Sequence, residues 1–149
     1  MTLRCPRDGQ ALRPDRERGI DIDRCPACAG AWYDYGELHD LEASASSDED
    51  ALAGTIDYAR HASPLRCLVC GEGMTSFNYR GNNLELDVCP HQHGFWLDAG
   101  EAARVRALMQ ERVQGLRRAR AAQRRWNRSR EAGFRDGFFD RLIDRLRGR

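Results

Sequence analysis

Apolar and acidic residues alternate at Ile20-Asp21-Ile22-Asp23, and the same alternation returns at Leu84-Glu85-Leu86-Asp87. A period of two predicts half-buried strands. Each run follows a polar stretch with a glycine (Gly19, Gly81) and leads into a cysteine turn, so each predicts a β-hairpin. An Asp-x-x-Glu pair comes next in both places, Asp34 to Glu37 and Asp98 to Glu101. That is capping-box spacing, with Asp accepting backbone N–H bonds and Glu reaching back, and it predicts a helix start. The same carboxylates would suit an acid/base pair, but capping accounts for both copies without a substrate.

Helix formers dominate from Asp98 to about Glu131. At about 100° per residue, Val105, Leu108, Met109, Leu116, Ala119 and Trp126 share one side, interrupted by Arg112. Arg106, Arg117, Arg118, Arg120, Arg124, Arg125 and Arg128 share the opposite arc. After Ala132-Gly133, Phe134, Phe138, Leu142 and Leu146 recur every fourth residue, flanked by Phe139 and Ile143. This predicts a short amphipathic helix that packs on the long one or self-associates through residues 134–146, with a partner or membrane surface as the other reading.

The two patterned segments are copies of one unit. Residues 25–38 (CPACAGAWYDYGEL) and 89–102 (CPHQHGFWLDAGEA) share Cys, Pro, Gly, Trp, Asp, Gly and Glu in register, and Cys5 and Gly9 upstream match Cys67 and Gly71. The second copy holds Cys67, Cys70, Cys89 and His93; the first holds Cys5, Asp8, Cys25 and Cys28. Two short turns separated by about fifteen to twenty residues have zinc-ribbon spacing. A two-residue gap points two ligands to one side of a tight turn, and two such turns at the end of a hairpin complete a tetrahedron. Two zinc ions per chain are therefore expected. For the fourth ligand of the second site His93 is favoured over His91; for the first, Asp8 competes with His39 or water, and iron suits mainly thiolate sites too. Disulfides would leave the repeat and His93 unexplained. Trp32 and Trp96 are expected to cover the metal turns rather than to stack on a base.

Composition adds a charge split. Within the 149 residues there is no Lys; residues 1–100 carry nine Arg against seventeen Asp and Glu, and residues 101–149 carry fifteen Arg against six. Arg forks suit phosphate and carboxylate, so the tail is a candidate contact for nucleic acid or an acidic protein. No run approaches the about 20 apolar residues of a membrane span. The N-terminus shows no hydrophobic signal core, so a cytoplasmic protein is expected, where cysteines are metal or redox groups.

The segment CPRDG…IDIDRCPACAGAWYDYGEL resembles the bacterial zinc-ribbon family named for its similarity to the zinc ribbon of general transcription factor IIB. The resemblance runs over roughly residues 3–41 and 65–105, two tandem copies, departing at Asp8, at Leu68, and at Gln92 with His93. It implies zinc binding by Cys5, Cys25, Cys28, Cys67, Cys70 and Cys89, and its name points to transcription.

The expected fold is small α+β: a first ribbon at 1–41, an acidic flexible linker at 42–63, a second ribbon at 64–100, and an Arg-rich helical tail at 101–149. The expected role is a non-enzymatic regulatory module with no small-molecule substrate, contacting protein or nucleic acid through the tail. The competing role is a switch in which oxidation or metal loss unfolds a ribbon.

Overall fold

The computed structural model describes residues 2–135 and 137–148; the side chains of residues 134, 135 and 138–140 lie outside that description. Seven strands form one antiparallel sheet: β1 (Arg13–Glu17), β2 (Ile20–Arg24), β3 (Ala31–Asp34), β4 (Asp57–Arg66), β5 (Gly73–Tyr79), β6 (Glu85–Val88) and β7 (Gly94–Leu97). Their order across the sheet is β1-β2-β3-β7-β6-β5-β4. Helices α1 (Glu37–Ala43), α2 (Glu49–Leu52), α3 (Glu101–Arg135) and α4 (Phe138–Arg147) complete the chain.

The two copies meet at the centre of the sheet. β3 pairs with β7 so that Trp32 faces Trp96, with Ala31 opposite Leu97 and Tyr33 opposite Phe95. The equivalent tryptophans face each other, and each flanking residue faces the equivalent of the other flank (Ala31 corresponds to Phe95, Tyr33 to Leu97), which places a pseudo-twofold axis between the two tryptophans, an isologous contact within one chain. The ribbons consequently share one sheet and the hydrophobic cluster on each of its faces.

Alternation along the strands sorts side chains onto two faces. On one face Ile20, Ile22, Tyr33, Phe77, Leu86 and Phe95 pack with Leu38 and Leu41 of α1 and Ala102 and Val105 of α3. On the other, Trp32 and Trp96 pack with Cys5, Cys25, Cys67, Cys89, Leu12, Leu65 and Met74. Neither copy could bury a core of its own from so few residues.

Residues 42–63 are not the flexible linker that their Ser, Ala and acid content suggests. Asp48 Oδ1 caps α2 by accepting from the N–H groups of Asp50 and Ala51 (3.1 and 3.2 Å), Ala51 is buried, and β4 pairs with β5. A buried ion pair closes the segment. Arg80 Nε donates to Glu42 Oε1 at 2.8 Å, with both side chains only 3% exposed, and Tyr79 Oη donates to the same oxygen. The other Arg80 nitrogens donate to the carbonyls of Ala53 and Leu52 at the end of α2, each at 2.8 Å.

Residues up to Val113 form one compact unit and residues 114–149 a second. In the first, Val105, Met109 and Val113 of α3 are buried, and Arg112, which breaks the apolar stripe, donates to the carbonyls of Ala51 (2.8 Å) and Ala53 (3.3 Å). Within the second unit Trp126, Leu142, Ile143 and Leu146 are exposed. Of residues 134–146, through which self-association was expected, the side chains of Phe134, Phe138 and Phe139 fall outside the described residues.

Candidate metal centres

Each copy supplies two chain turns that share a hydrogen-bond pattern. In the first three, the leading cysteine N–H donates to the carbonyl five residues on (Gln10, Gly30, Glu72), while its own carbonyl accepts from the N–H four residues on (Gly9, Ala29, Gly71). Backbone N–H groups also point at sulfur: Arg7 at Cys5 Sγ, Val69 at Cys67 Sγ and His91 at Cys89 Sγ, all at 3.4 Å. Such donors stabilise a thiolate and aim it out of the turn.

These turns bring the eight expected residues into two groups. Cys5, Asp8, Cys25 and Cys28 form one and Cys67, Cys70, Cys89 and His93 the other, with all ligand atoms of a group within 4.8 Å of one another. In the first, Cys5 Sγ lies 3.6 Å from Cys28 Sγ, and Cys25 Sγ lies 3.3 Å from Asp8 Oδ2. In the second, Cys70 Sγ lies 3.7 Å from Cys89 Sγ, and Cys67 Sγ lies 3.8 Å from His93 Nδ1. A tetrahedral zinc ion with sulfur ligands at about 2.3 Å sets neighbouring sulfurs about 3.8 Å apart. A disulfide needs about 2.05 Å between sulfurs, and all six cysteines are free. Both groups can hold a metal ion, and the donor sets fit zinc.

The fourth turn explains why His93 and not Gln92 faces the site. There the return bond is one residue shorter, from Gln92 N–H to the Cys89 carbonyl. The left-handed residue accordingly moves from fifth place, as in Ala29 (φ 62°), to fourth, Gln92 (φ 62°). This turns the next side chain inward, and an imidazole spans the extra distance. His91 is exposed, its ring centroid 6.3 Å from that of His93, and belongs to neither group. His39 is exposed on α1 and likewise outside them.

The protonation landscape suits displacement of protons by a cation. Burial pushes the Cys5 thiol up to about 12 and the Cys67 thiol up to about 11. Burial opposes ionisation of Cys89 as well, but the N–H groups of His93 and His91 overcome it and bring that thiol down to about 7. Asp8 is held below its ordinary value chiefly by the Gln10 N–H, which donates to Oδ1 at 2.9 Å. A bound metal ion deprotonates coordinating thiols outright.

Behind each site the tryptophan is buried and tied down. Trp32 Nε1 donates to Asp34 Oδ1 (3.1 Å) and Trp96 Nε1 to Asp98 Oδ1 (2.9 Å), and burial of both rings leaves neither face open for a nucleobase. Only half of the expected capping box forms. Glu37 and Glu101 do reach back to the N–H groups of Asp34 and Asp98 (2.6 and 2.7 Å). The Asp side chains take the indoles instead of capping the helices.

Among the residues expected to meet a partner, Arg106 is already engaged inside the fold: Nε donates to Ser44 Oγ at 3.0 Å. Arg117, Arg118, Arg124, Arg125 and Arg128 are exposed and Arg120 is half-buried.

Residues 4–44 match the family model described as the transcription factor zinc-finger, a zinc ribbon of the type found in transcription factor IIB. The match contains all four residues of the first group. No curated protein and no solved structure matches the chain. The family implies zinc as the ion. No helix among the described residues is long and apolar enough to cross a membrane.

Proposed function

We propose that this chain is a non-enzymatic zinc module of the cytoplasm. Cys5, Asp8, Cys25 and Cys28 bind one ion, Cys67, Cys70, Cys89 and His93 bind a second, and the arginine-rich part of α3 contacts a partner. One observation carries the reading. Both groups of four converge to tetrahedral spacing on one face of a single sheet, while Arg117, Arg118, Arg124, Arg125 and Arg128 stay exposed in the second unit. Two closed four-ligand sites leave no open position for a reacting water, so their work is structural. Clustered guanidinium groups favour a partner rich in phosphate or carboxylate oxygens in a regulatory setting.

The test is truncation after Val113, which spares the buried part of α3. The zinc-loaded product should keep its two ions and its fold while losing recovery of partners from a lysate. Nuclease treatment of that lysate separates the two classes of partner: loss of recovery by full-length protein points to nucleic acid, and persistence to an acidic protein. Equal recovery by the truncated and full chains would refute the role of the tail.

The exposure of Asp8 supports a second reading, a metal- or redox-responsive switch. Asp8 is a hard ligand among soft thiolates, and Cys70 in the other group is also exposed. Release of the first ion at peroxide levels that leave the second bound would favour the switch; equal resistance of both sites would favour the scaffold.

A further inference from the structure

Three carboxylates recur about the pseudo-twofold axis: Asp23, Asp34 and Glu37 in the first half, and Asp87, Asp98 and Glu101 in the second. Both clusters share the indole-to-Asp and Glu-to-backbone bonds described above. Their surroundings differ. Arg7, in the first turn of the chain, closes a two-pronged bond on Asp98, Nε to Oδ1 at 3.1 Å and Nη2 to Oδ2 at 2.7 Å. Its charge acts on Asp87 and Glu101 as well. Ser76 Oγ further donates to Asp87 Oδ1 at 2.6 Å.

The first cluster has neither partner. Pro14 stands opposite Asp23 where Ser76 stands opposite Asp87. The residue corresponding to Arg7 in the second copy is Val69, which is 47% exposed. Among the described residues, no cation forms an ion pair with Asp23, Asp34 or Glu37. Asp34 is exposed, and Asp23 and Glu37 are half-buried. One half of the molecule therefore shows, with its ligand in place, what the other half has room for.

We propose that the Asp23–Asp34–Glu37 cluster is a docking site for an arginine side chain of a partner polypeptide, entering as Arg7 enters the other half. The precedent selects the ligand. Arg7 uses a planar fork on a carboxylate whose orientation is fixed by an indole N–H, and Asp34 is fixed in the same manner by Trp32. An ammonium cannot make that paired contact. The site lies on the ribbon body and is independent of the contact proposed for the tail, so either can fail alone.

The reporter is built in. In the zinc-loaded, ¹⁵N-labelled full chain, the indole N–H of Trp32 touches the proposed site and that of Trp96 touches the filled one. Titration with a Gly-Arg-Gly peptide should move the Trp32 signal saturably and leave that of Trp96 in place, with Gly-Lys-Gly far less effective. Val69→Arg supplies the missing fork in cis, and should weaken the peptide by at least about tenfold. Arg7 occupies the corresponding position of the first copy, so the turn accepts the residue. Should V69R disturb its metal turn, Asp23→Asn serves instead, with a loss of about fivefold expected. A Trp32 signal that moves with protein concentration alone would support the site and make a second copy the source of the arginine. No saturable Trp32 shift, an equal shift of Trp96, equal binding of the lysine peptide, or unchanged affinity in a folded variant would overturn the proposal.

Discussion

Trp32 and Trp96 face each other in the register of β3 and β7, and each indole fills the space in front of the other half's glycine. A Cβ built on Gly30 would overlap the Trp96 ring, and one built on Gly94 would overlap both the Trp32 ring and the Tyr33 carbonyl oxygen. Reciprocal seating of this kind locks the two halves in one register, because a slip of one residue would put the two rings on opposite faces of the sheet.

Substituting either glycine should therefore unseat the joint between the halves. Gly30→Ala is expected to cost about 1–3 kcal/mol, the usual range for overpacking a filled core. Gly94→Ala should cost more, since one of its obstacles is backbone. Denaturant unfolding of the zinc-loaded proteins measures both; wild-type stability in either would contradict the close approach.

The Glu42–Arg80 pair gives a second stability test. Arg80→Met leaves the buried Glu42 carboxylate without its countercharge, with the Tyr79 hydroxyl still donating to it, and frees two carbonyls at the end of α2. Breaking a buried pair in this way typically costs about 3–5 kcal/mol. A midpoint unchanged from wild type in urea would show that the segment between the halves does not depend on it.

Glu101 predicts a pH dependence. Burial raises its carboxyl to about 7, outweighing the Asp98 N–H that favours the anion. With the folded value above the unfolded one, the native state binds more protons in the interval between them. Stability should therefore fall as pH rises from about 4.5 to 7. Glu101→Gln keeps an oxygen for the Asp98 N–H and should flatten that slope. Thermal melts of the zinc-loaded protein and the variant between pH 6 and 8 check the upper part of the interval; parallel curves would count against the assignment.

Metal content tests the two groups separately. The wild type should carry two zinc ions by native mass spectrometry, His93→Ala one, and Asp8→Ala one. Asp8→Cys should restore two and hold the first ion more tightly against a chelator, as a softer donor replaces a harder one. Two ions in Asp8→Ala would remove the carboxylate from the first site.

Much of this was legible in the chain itself. Hairpins, turns and ligand groups follow from local spacing, because a Cys-x-x-Cys turn and an alternating strand are made by neighbours. The join between the halves was not, since nothing local says that Trp32 will face Trp96. The same holds for Arg106, which looks like a member of a charged face, and for Arg112, which looks like a break in an apolar one; they bond hydroxyl and carbonyl oxygens that lie roughly sixty residues away. Composition misleads most at residues 42–63. Small polar residues read as a tether, yet Asp48 caps a helical turn and β4 adds a strand, both fixed by contacts with the second copy.

The pairing of β3 with β7 also bears on how such a chain could arise. A polypeptide with a single ribbon would end its sheet at an open strand, and the same register would let two copies of it join as a symmetric homodimer. Joining both copies in one chain turns that shared edge into an internal seam and releases the halves from having to be identical. Asp8 against Cys70, Arg7 against Val69 and Pro14 against Ser76 are differences that a homodimer would have to carry on both sides at once, and that a fused pair can hold on one.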